Sequence, residues 1–157
     1  MTPELINRVL DLAVAIQQVP APTFAEARRA EFVHRQFLAE GLSAASMDAK
    51  CNVYACLPGT GNALPLVVSA HLDTVFPENT DLAVCRSAEE IAGPGIGDNA
   101  LGVAGLFGLL WSLRLRGSAL PGDLWLVANV GEEGLGDLSG MRAVVDRFGG
   151  GVTAYLV

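Results

Sequence analysis

The chain begins with two segments in which apolar residues recur every three or four positions, the pattern of helices that bury one face. Thr2-Pro3-Glu4 opens the first segment with a capping hydroxyl, a proline at the first helical position and an acid in the first turn. Thr23-Phe24-Ala25-Glu26 forms a T-x-x-E capping box before the second segment, which extends to Gly41. The sequence therefore predicts two amphipathic helices. Their apolar stripes are Leu5, Val9, Leu12 and Ile16 in the first and Ala30, Val33 and Phe37 in the second.

From Asn52 onward the pattern changes to short apolar runs, and uninterrupted runs of this kind are typical of strands buried on both faces of a sheet. Helical segments separate these runs. Because strands and helices alternate, the sequence predicts an α/β fold, in which a three-layer arrangement places helices on both faces of a mostly parallel sheet. The predicted strands are 53–57, 64–70, 124–130 and 153–157, and the predicted helices are 99–116 and 138–148.

Composition and charge narrow the class of protein. With 157 residues, 51% hydrophobic and 17% charged, the chain is expected to form one globular domain. Its formal net charge of -7 and its lack of clustered Lys and Arg argue against nucleic-acid binding. The first 20 residues lack the pattern of a secretory signal, and the apolar run 100–113 is shorter than the ~18 residues that span a bilayer. We therefore expect a cytoplasmic protein that does not contact a membrane.

Three polar clusters follow predicted strands or precede the apolar helix, where functional groups gather in such folds. They are His71-Leu72-Asp73, Gly95-Ile96-Gly97-Asp98-Asn99 and Glu132-Glu133-Gly134. One imidazole with several carboxylates is a ligand set that suits zinc. In extended chain, residues two apart project to the same side, so Asp73 can hold the far ring nitrogen of His71. Each cluster by itself also fits a structural histidine or a solvated acidic loop.

Other site classes have less support. A dinucleotide-binding G-x-G-x-x-G motif would need glycine where Asp98 stands, and no G-x-x-x-x-G-K-[ST] phosphate loop occurs. The glycines of Gly102-x-x-Gly105-x-x-Gly108 resemble a membrane dimer face, but close packing of a helix on the sheet explains them with fewer assumptions. A metal site is therefore the favoured hypothesis.

The three clusters together resemble a known family. His71-Leu72-Asp73-Thr74-Val75-Phe76-Pro77, Gly97-Asp98-Asn99 and Gly131-Glu132-Glu133-Gly134 are similar, in order, to signatures of dizinc hydrolases. This family includes acetylornithine deacetylase, succinyl-diaminopimelate desuccinylase, aminoacylase, bacterial glutamate carboxypeptidase and tripeptidase. Pro20-Ala21-Pro22-Thr23 and Glu26 extend the resemblance over nearly the whole chain. It implies a zinc-exopeptidase-like fold and a cis peptide between Asp98 and the next residue.

The resemblance also implies a role for each candidate residue. His71 is similar to a ligand of one zinc, Asp98 to the carboxylate that bridges both, and Glu133 to a ligand of the other. Glu132 is similar to the general base, and Asp73 to the aspartate that orients His71. The implied cofactor is Zn²⁺, two per complete site, with Co²⁺ or Mn²⁺ as alternatives. The implied substrate is an N-acyl amino acid or a short peptide.

The chain departs from the family after these motifs. Each zinc there has one further protein ligand from later in the chain, and a lid or dimerisation domain is inserted into the catalytic domain. Residues 1–157 are therefore expected to be the N-terminal part of a zinc-dependent catalytic domain in a truncated fold, with the lid and C-terminal part absent. We expect amide or peptide hydrolysis from the complete protein, which is expected to be a homodimer, and little from this chain alone. The alternative is a catalytically incompetent fragment with at most a binding or assembly role.

Overall fold

The computed structural model describes residues 2–157, which form four α-helices and seven β-strands. A kinked turn, Ile96–Ala100, with non-helical backbone at Asp98 and Asn99, precedes the third helix, and a 3-10 turn, Gly134–Gly136, precedes the fourth. The helices are α1 (Pro3–Gln17), α2 (Ala27–Ala39), α3 (Leu101–Leu115) and α4 (Ser139–Phe148). The strands are β1 (Ser46–Met47), β2 (Val53–Leu57), β3 (Leu66–His71), β4 (Cys85–Arg86), β5 (Ile91–Ala92), β6 (Leu124–Asn129) and β7 (Ala154–Leu156).

Five strands form one mixed sheet in the order β1-β2-β6-β3-β7. β3 lies between β6 and β7 and runs parallel to both, whereas β2 is antiparallel to β6 and β1 is antiparallel to β2. The predicted α/β class is confirmed. In the β3–β6 register His71 lies opposite Asn129, so these two strands end at the same edge of the sheet. The short β4–β5 hairpin was not predicted, because its residues are mostly exposed and carry no apolar pattern.

Helices cover both faces of the sheet, as predicted. The buried residues of α1, α2 and α3 form the larger core with one face, where the rings of Phe37 and Phe107 stack with centroids 4.2 Å apart. Val144 of α4 packs on the other face with Tyr54 and Val127. The strands β2, β3 and β6 contribute residues to both cores. The apolar runs of the sequence therefore correspond to strands whose two faces are both covered by helices.

Helix α3 is the most apolar element of the chain. The segment Ile96–Leu115 is long and apolar enough, by length and composition, to cross a membrane. Its side chains instead form much of the larger core, including Val103, Phe107 and Leu110. A Cβ on Gly108 would come within 2.8 Å of the Val9 side chain of α1. The glycine therefore allows close packing as predicted, although its partner is a helix rather than the sheet.

One of the two predicted caps is correct. The Thr2 hydroxyl accepts a hydrogen bond from the Leu5 amide at the start of α1. The predicted capping box of Thr23 and Glu26 is wrong, since α2 has no side-chain cap. The Thr23 hydroxyl donates to Asp73, and the Glu26 carboxylate accepts a hydrogen bond from the Gly131 amide. Both residues therefore connect α2 to the ends of strands rather than to its own first turn.

The contact between α4 and the end of β6 leaves no room for a side chain at Gly140. A Cβ there would lie 2.1 Å from the Val130 carbonyl oxygen, a main-chain atom. We expect Gly140→Ala to lower the free energy of unfolding by about 2 kcal/mol, because overpacking outweighs the gain in helix propensity. Urea denaturation measures this. Gly150→Ala is the control, since no atom lies within 4 Å of its added Cβ; equal stability of the two variants would contradict the expectation.

Candidate functional site

Three side chains from different parts of the chain meet at one edge of the sheet. His71 is the last residue of β3, Asp98 lies in the turn before α3, and Glu133 follows β6. One donor atom of each lies within 4.8 Å of the others. The imidazole is 11% exposed and the Asp98 carboxylate 75%, so the group lies at the surface of a shallow site. One nitrogen and two carboxylate groups, the candidate metal ligands of the sequence analysis, thus face a common volume.

The ring of His71 is held between two oxygen atoms. Its Nε2 lies 3.0 Å from Oδ1 of Asp98, and its Nδ1 lies 3.0 Å from the main-chain carbonyl oxygen of Asp73. The Asp73 carboxylate itself is 3.7 Å from Nδ1. The predicted hydrogen bond between this carboxylate and the ring is therefore replaced by one from Nδ1–H to the Asp73 carbonyl. This bond leaves Nε2 of His71 facing the carboxylates of Asp98 and Glu133, the other two candidate metal ligands.

The Asp73 carboxylate points instead at the main chain after β6. Its Oδ1 accepts from the Glu132 amide at 3.0 Å, and its Oδ2 accepts from the Glu133 amide at 2.9 Å and from the Thr23 hydroxyl at 3.0 Å. Burial would raise the pKa of Asp73, but His71 and these hydrogen bonds lower it to about 2. Asp73 therefore stays ionised and fixes the two glutamates through their backbone.

Negative charge accumulates where the three donors meet. Burial first, and then the charges of Asp98 and Glu132, raise the pKa of Glu133. Burial lowers the pKa of His71, but Asp73 and Glu132 outweigh it and raise the value to about 8. Oε2 of Glu132 lies 3.9 Å from the ring Nε2. A divalent cation held by the imidazole and the carboxylates would relieve this repulsion, so the donor set fits a metal ion.

Two buried polar residues hold the segment after β6, and neither was assigned to the site from the sequence. The Asn52 side chain accepts a hydrogen bond from the Val130 amide and donates to the Gly140 carbonyl. Glu26 accepts from the Gly131 amide at 3.1 Å. The Val130 and Gly131 amides lie 78 and 105 residues from these side chains in sequence, so no local signal identifies the contacts.

The turn that carries Asp98 has an unusual backbone. The Asp98–Asn99 peptide is cis, as the family resemblance implied. Gly102, the second residue of α3, makes room for the Asn99 side chain, since a Cβ there would lie 1.9 Å from Oδ1 of Asn99. The glycine therefore has a packing role close to the site.

Comparison with known protein families gives a match to a family of peptidases. The model of peptidase family M28 matches residues 52–147, which is more than half of the chain and includes all five candidate residues. A search of curated proteins gives no match.

Several solved structures share the fold. Aminopeptidase PepT from Bacillus cereus superposes with a TM-score of 0.79 at 22% identity, covering 95% of this chain and 42% of that chain. A tripeptidase from Staphylococcus aureus gives 0.73 at 22% identity, covering 88% and 40% respectively. A dinuclear metal-binding peptidase of the M20 family from Bacillus subtilis gives 0.64 at 18% identity, covering 99% and 43%. The chain thus spans less than half the length of each of these structures.

The hydrogen bonds of Asp73 generate a stability prediction. We expect Asp73→Asn to lower the free energy of unfolding at pH 7 by about 2 kcal/mol, because an amide NH₂ then faces a main-chain N–H and a charged acceptor is lost. Chemical denaturation measures the change. Asp146→Asn, on the exposed surface of α4, is the matched control. An Asp73→Asn variant as stable as this control would show that the three hydrogen bonds contribute little.

Proposed function

Because the chain belongs to peptidase family M28, we propose that it carries the metal-binding part of a catalytic domain that hydrolyses peptide or amide bonds. One observation carries the proposal: three metal-ligand side chains from separate elements converge within 4.8 Å. The shared fold of PepT and the tripeptidase supports peptide hydrolysis. In this proposal residues 1–157 are the N-terminal part of that domain.

The proposed ligands are His71, Asp98 and Glu133. Asp98 lies within reach of both other donors, which supports a bridging carboxylate between two ions. Zn²⁺ is the proposed metal, since an imidazole with carboxylates is a common zinc ligand set, and Co²⁺ or Mn²⁺ would occupy similar sites. With Asp98 counted for both ions, each ion has two protein ligands among these residues. Catalytic zinc usually has three, so we expect residues 1–157 alone to hydrolyse amides slowly.

The chain's own residues supply proton transfer and orientation. A bound divalent metal would polarise the scissile carbonyl and acidify water. The Glu132 carboxylate, 35% exposed and 3.9 Å from the His71 ring, lies beside the ligand group, where it accepts a proton from the attacking water. It then gives that proton to the leaving amine. The Asp73 carboxylate accepts a hydrogen bond from the Glu132 amide, and the Asp73 main-chain carbonyl accepts one from the His71 ring.

The substrate and the assembly belong to the proposal as well. We propose an N-acyl amino acid or a short peptide as substrate, since both present an amide carbonyl to the same chemistry. The predicted homodimer and the predicted cytoplasmic location stay predictions.

Metal binding tests the ligand assignment. We expect Asp98→Asn to weaken Zn²⁺ or Co²⁺ binding by at least about tenfold, because an amide oxygen lacks the carboxylate's charge and cannot bridge as well. Isothermal titration of the purified chain measures the affinity. Asp137→Asn, which removes an exposed acid paired with Arg142, is the control for net charge. Equal affinities of the two variants would remove Asp98 from the ligand set.

Turnover tests the general base. In the complete protein we expect Glu132→Gln to keep its metal but to lose about 100-fold or more in kcat, because the substitution deletes a base and spares the ligands. The assay measures hydrolysis of N-acetyl amino acids and dipeptides at high enzyme concentration with metal added. Glu89→Gln, in the exposed turn between β4 and β5, is the control. Glu132→Gln with normal turnover would assign the base elsewhere.

A further inference from the structure

A charged side chain lies in the core beneath the site. Arg29 of α2 is 2% exposed, and its guanidinium donates only to main-chain carbonyls. Nε donates to Val19 and Nη1 to Leu72, both at 2.7 Å, and Nη2 reaches Gln17 at 3.4 Å. Burying a guanidinium costs free energy that these hydrogen bonds must offset. If this side chain served only to fill the core, an apolar side chain of similar size would cost less free energy to bury.

One of these acceptors, the Leu72 carbonyl, lies next to the candidate site. Leu72 is the single residue between His71 and Asp73, and its side chain is fully buried. The Leu72 carbonyl belongs to the peptide between Leu72 and Asp73, so the hydrogen bond from Arg29 fixes the backbone of the aspartate that holds the glutamates. Rotation of this peptide would move the Asp73 carboxylate and also the Asp73 carbonyl, which accepts the hydrogen bond from Nδ1 of His71.

The other hydrogen bonds connect the same guanidinium to the end of α1. There, the Gln17 side chain donates to the Pro94 carbonyl at 2.9 Å, and Pro94 lies in the segment that leads to Asp98. Hydrogen bonds of Arg29 and Gln17 thus link the segment that carries His71 to the segment that carries Asp98.

Charge reinforces the geometry. The ion pairs formed by residues 2–157 do not include Arg29. Burial lowers its pKa to about 10, and the negative charge of Asp73 opposes that shift. The guanidinium therefore stays protonated at neutral pH and balances the buried Asp73 carboxylate from the core side of the site.

From these contacts we propose that Arg29 is a positioning residue of the metal site: it fixes the Leu72 peptide against the end of α1 and so sets the directions of His71 and Asp73. The inference rests on the proposed function in that it assigns Arg29 to a metal-binding site. It adds a residue of α2 that contacts neither metal nor substrate.

The test compares four variants of the 157-residue chain. Arg29→Met removes the donors at similar length, and Arg29→Lys keeps the charge with a single nitrogen. Arg35→Met changes an exposed arginine of the same helix, paired with Glu31. Val33→Ala removes buried apolar volume from that helix without touching the site, and it controls for lost stability.

The first measurement is Co²⁺ affinity, monitored by visible absorption. We expect Arg29→Met to weaken binding by about 10- to 100-fold, the range seen when a group supporting a metal ligand is removed. Arg29→Lys should lie between Arg29→Met and the unsubstituted chain, whereas Arg35→Met and Val33→Ala should bind normally. If Arg29→Met does not fold, Arg29→Lys gives the comparison. Affinity in the Arg29 variants equal to that of Val33→Ala would overturn the proposal.

The second measurement separates this inference from the proposed function. Amide hydrogen exchange without metal reports the hydrogen bonds from Glu132 and Glu133 to Asp73, with the β6 amides of Leu126 and Val127 as internal reference. We expect Arg29→Met to speed exchange at the two glutamates more than at β6. Equal acceleration at all four amides would make Arg29 a purely structural residue. A chain that binds no Co²⁺ would refute the proposed function, and this exchange pattern alone would then decide whether Arg29 sets the geometry.

Discussion

The buried carboxylate of Asp73 is the interaction on which the site depends. It joins three separate segments, because it accepts hydrogen bonds from Thr23 before α2 and from the Glu132 and Glu133 amides after β6, while Asp73 itself lies just after β3. A buried carboxylate is stable only when its oxygens are bonded, so these three segments are constrained to one arrangement. This constraint fixes the backbone amides of Glu132 and Glu133, from which the two glutamate side chains extend.

The fold around Asp73 combines an apolar core with a cluster of acidic side chains at the surface. Parallel strands β3 and β6 end at the same edge, which brings His71 and the segment after Asn129 together. Helix α3 packs its apolar face on the sheet and directs the preceding turn, with Asp98, to the same edge. Hydrophobic burial therefore supplies the stability that an acidic cluster lacks, and a bound cation would remove the remaining repulsion.

The sequence predicted the parts of this structure that are encoded locally. Continuous apolar runs identified the central strands, and the family signatures identified the candidate residues around His71. Contacts between distant segments were not predictable in this way. The pattern from Thr23 to Glu26 fits a capping box equally well, and only the fold shows that both side chains reach the strand ends. Arg29 lies in an amphipathic helix where an arginine is expected to face water, and its carbonyl partners have no sequence signature.

A crystal structure of residues 1–157 grown with Zn²⁺, with anomalous data collected on both sides of the zinc edge, tests the central claim most directly. We expect anomalous density in contact with Nε2 of His71 and with carboxylate oxygens of Asp98 and Glu133, at about 2.0 to 2.2 Å from each ligand atom. Density only elsewhere, or none near these three side chains at saturating zinc, would contradict a metal-dependent site at this edge of the sheet.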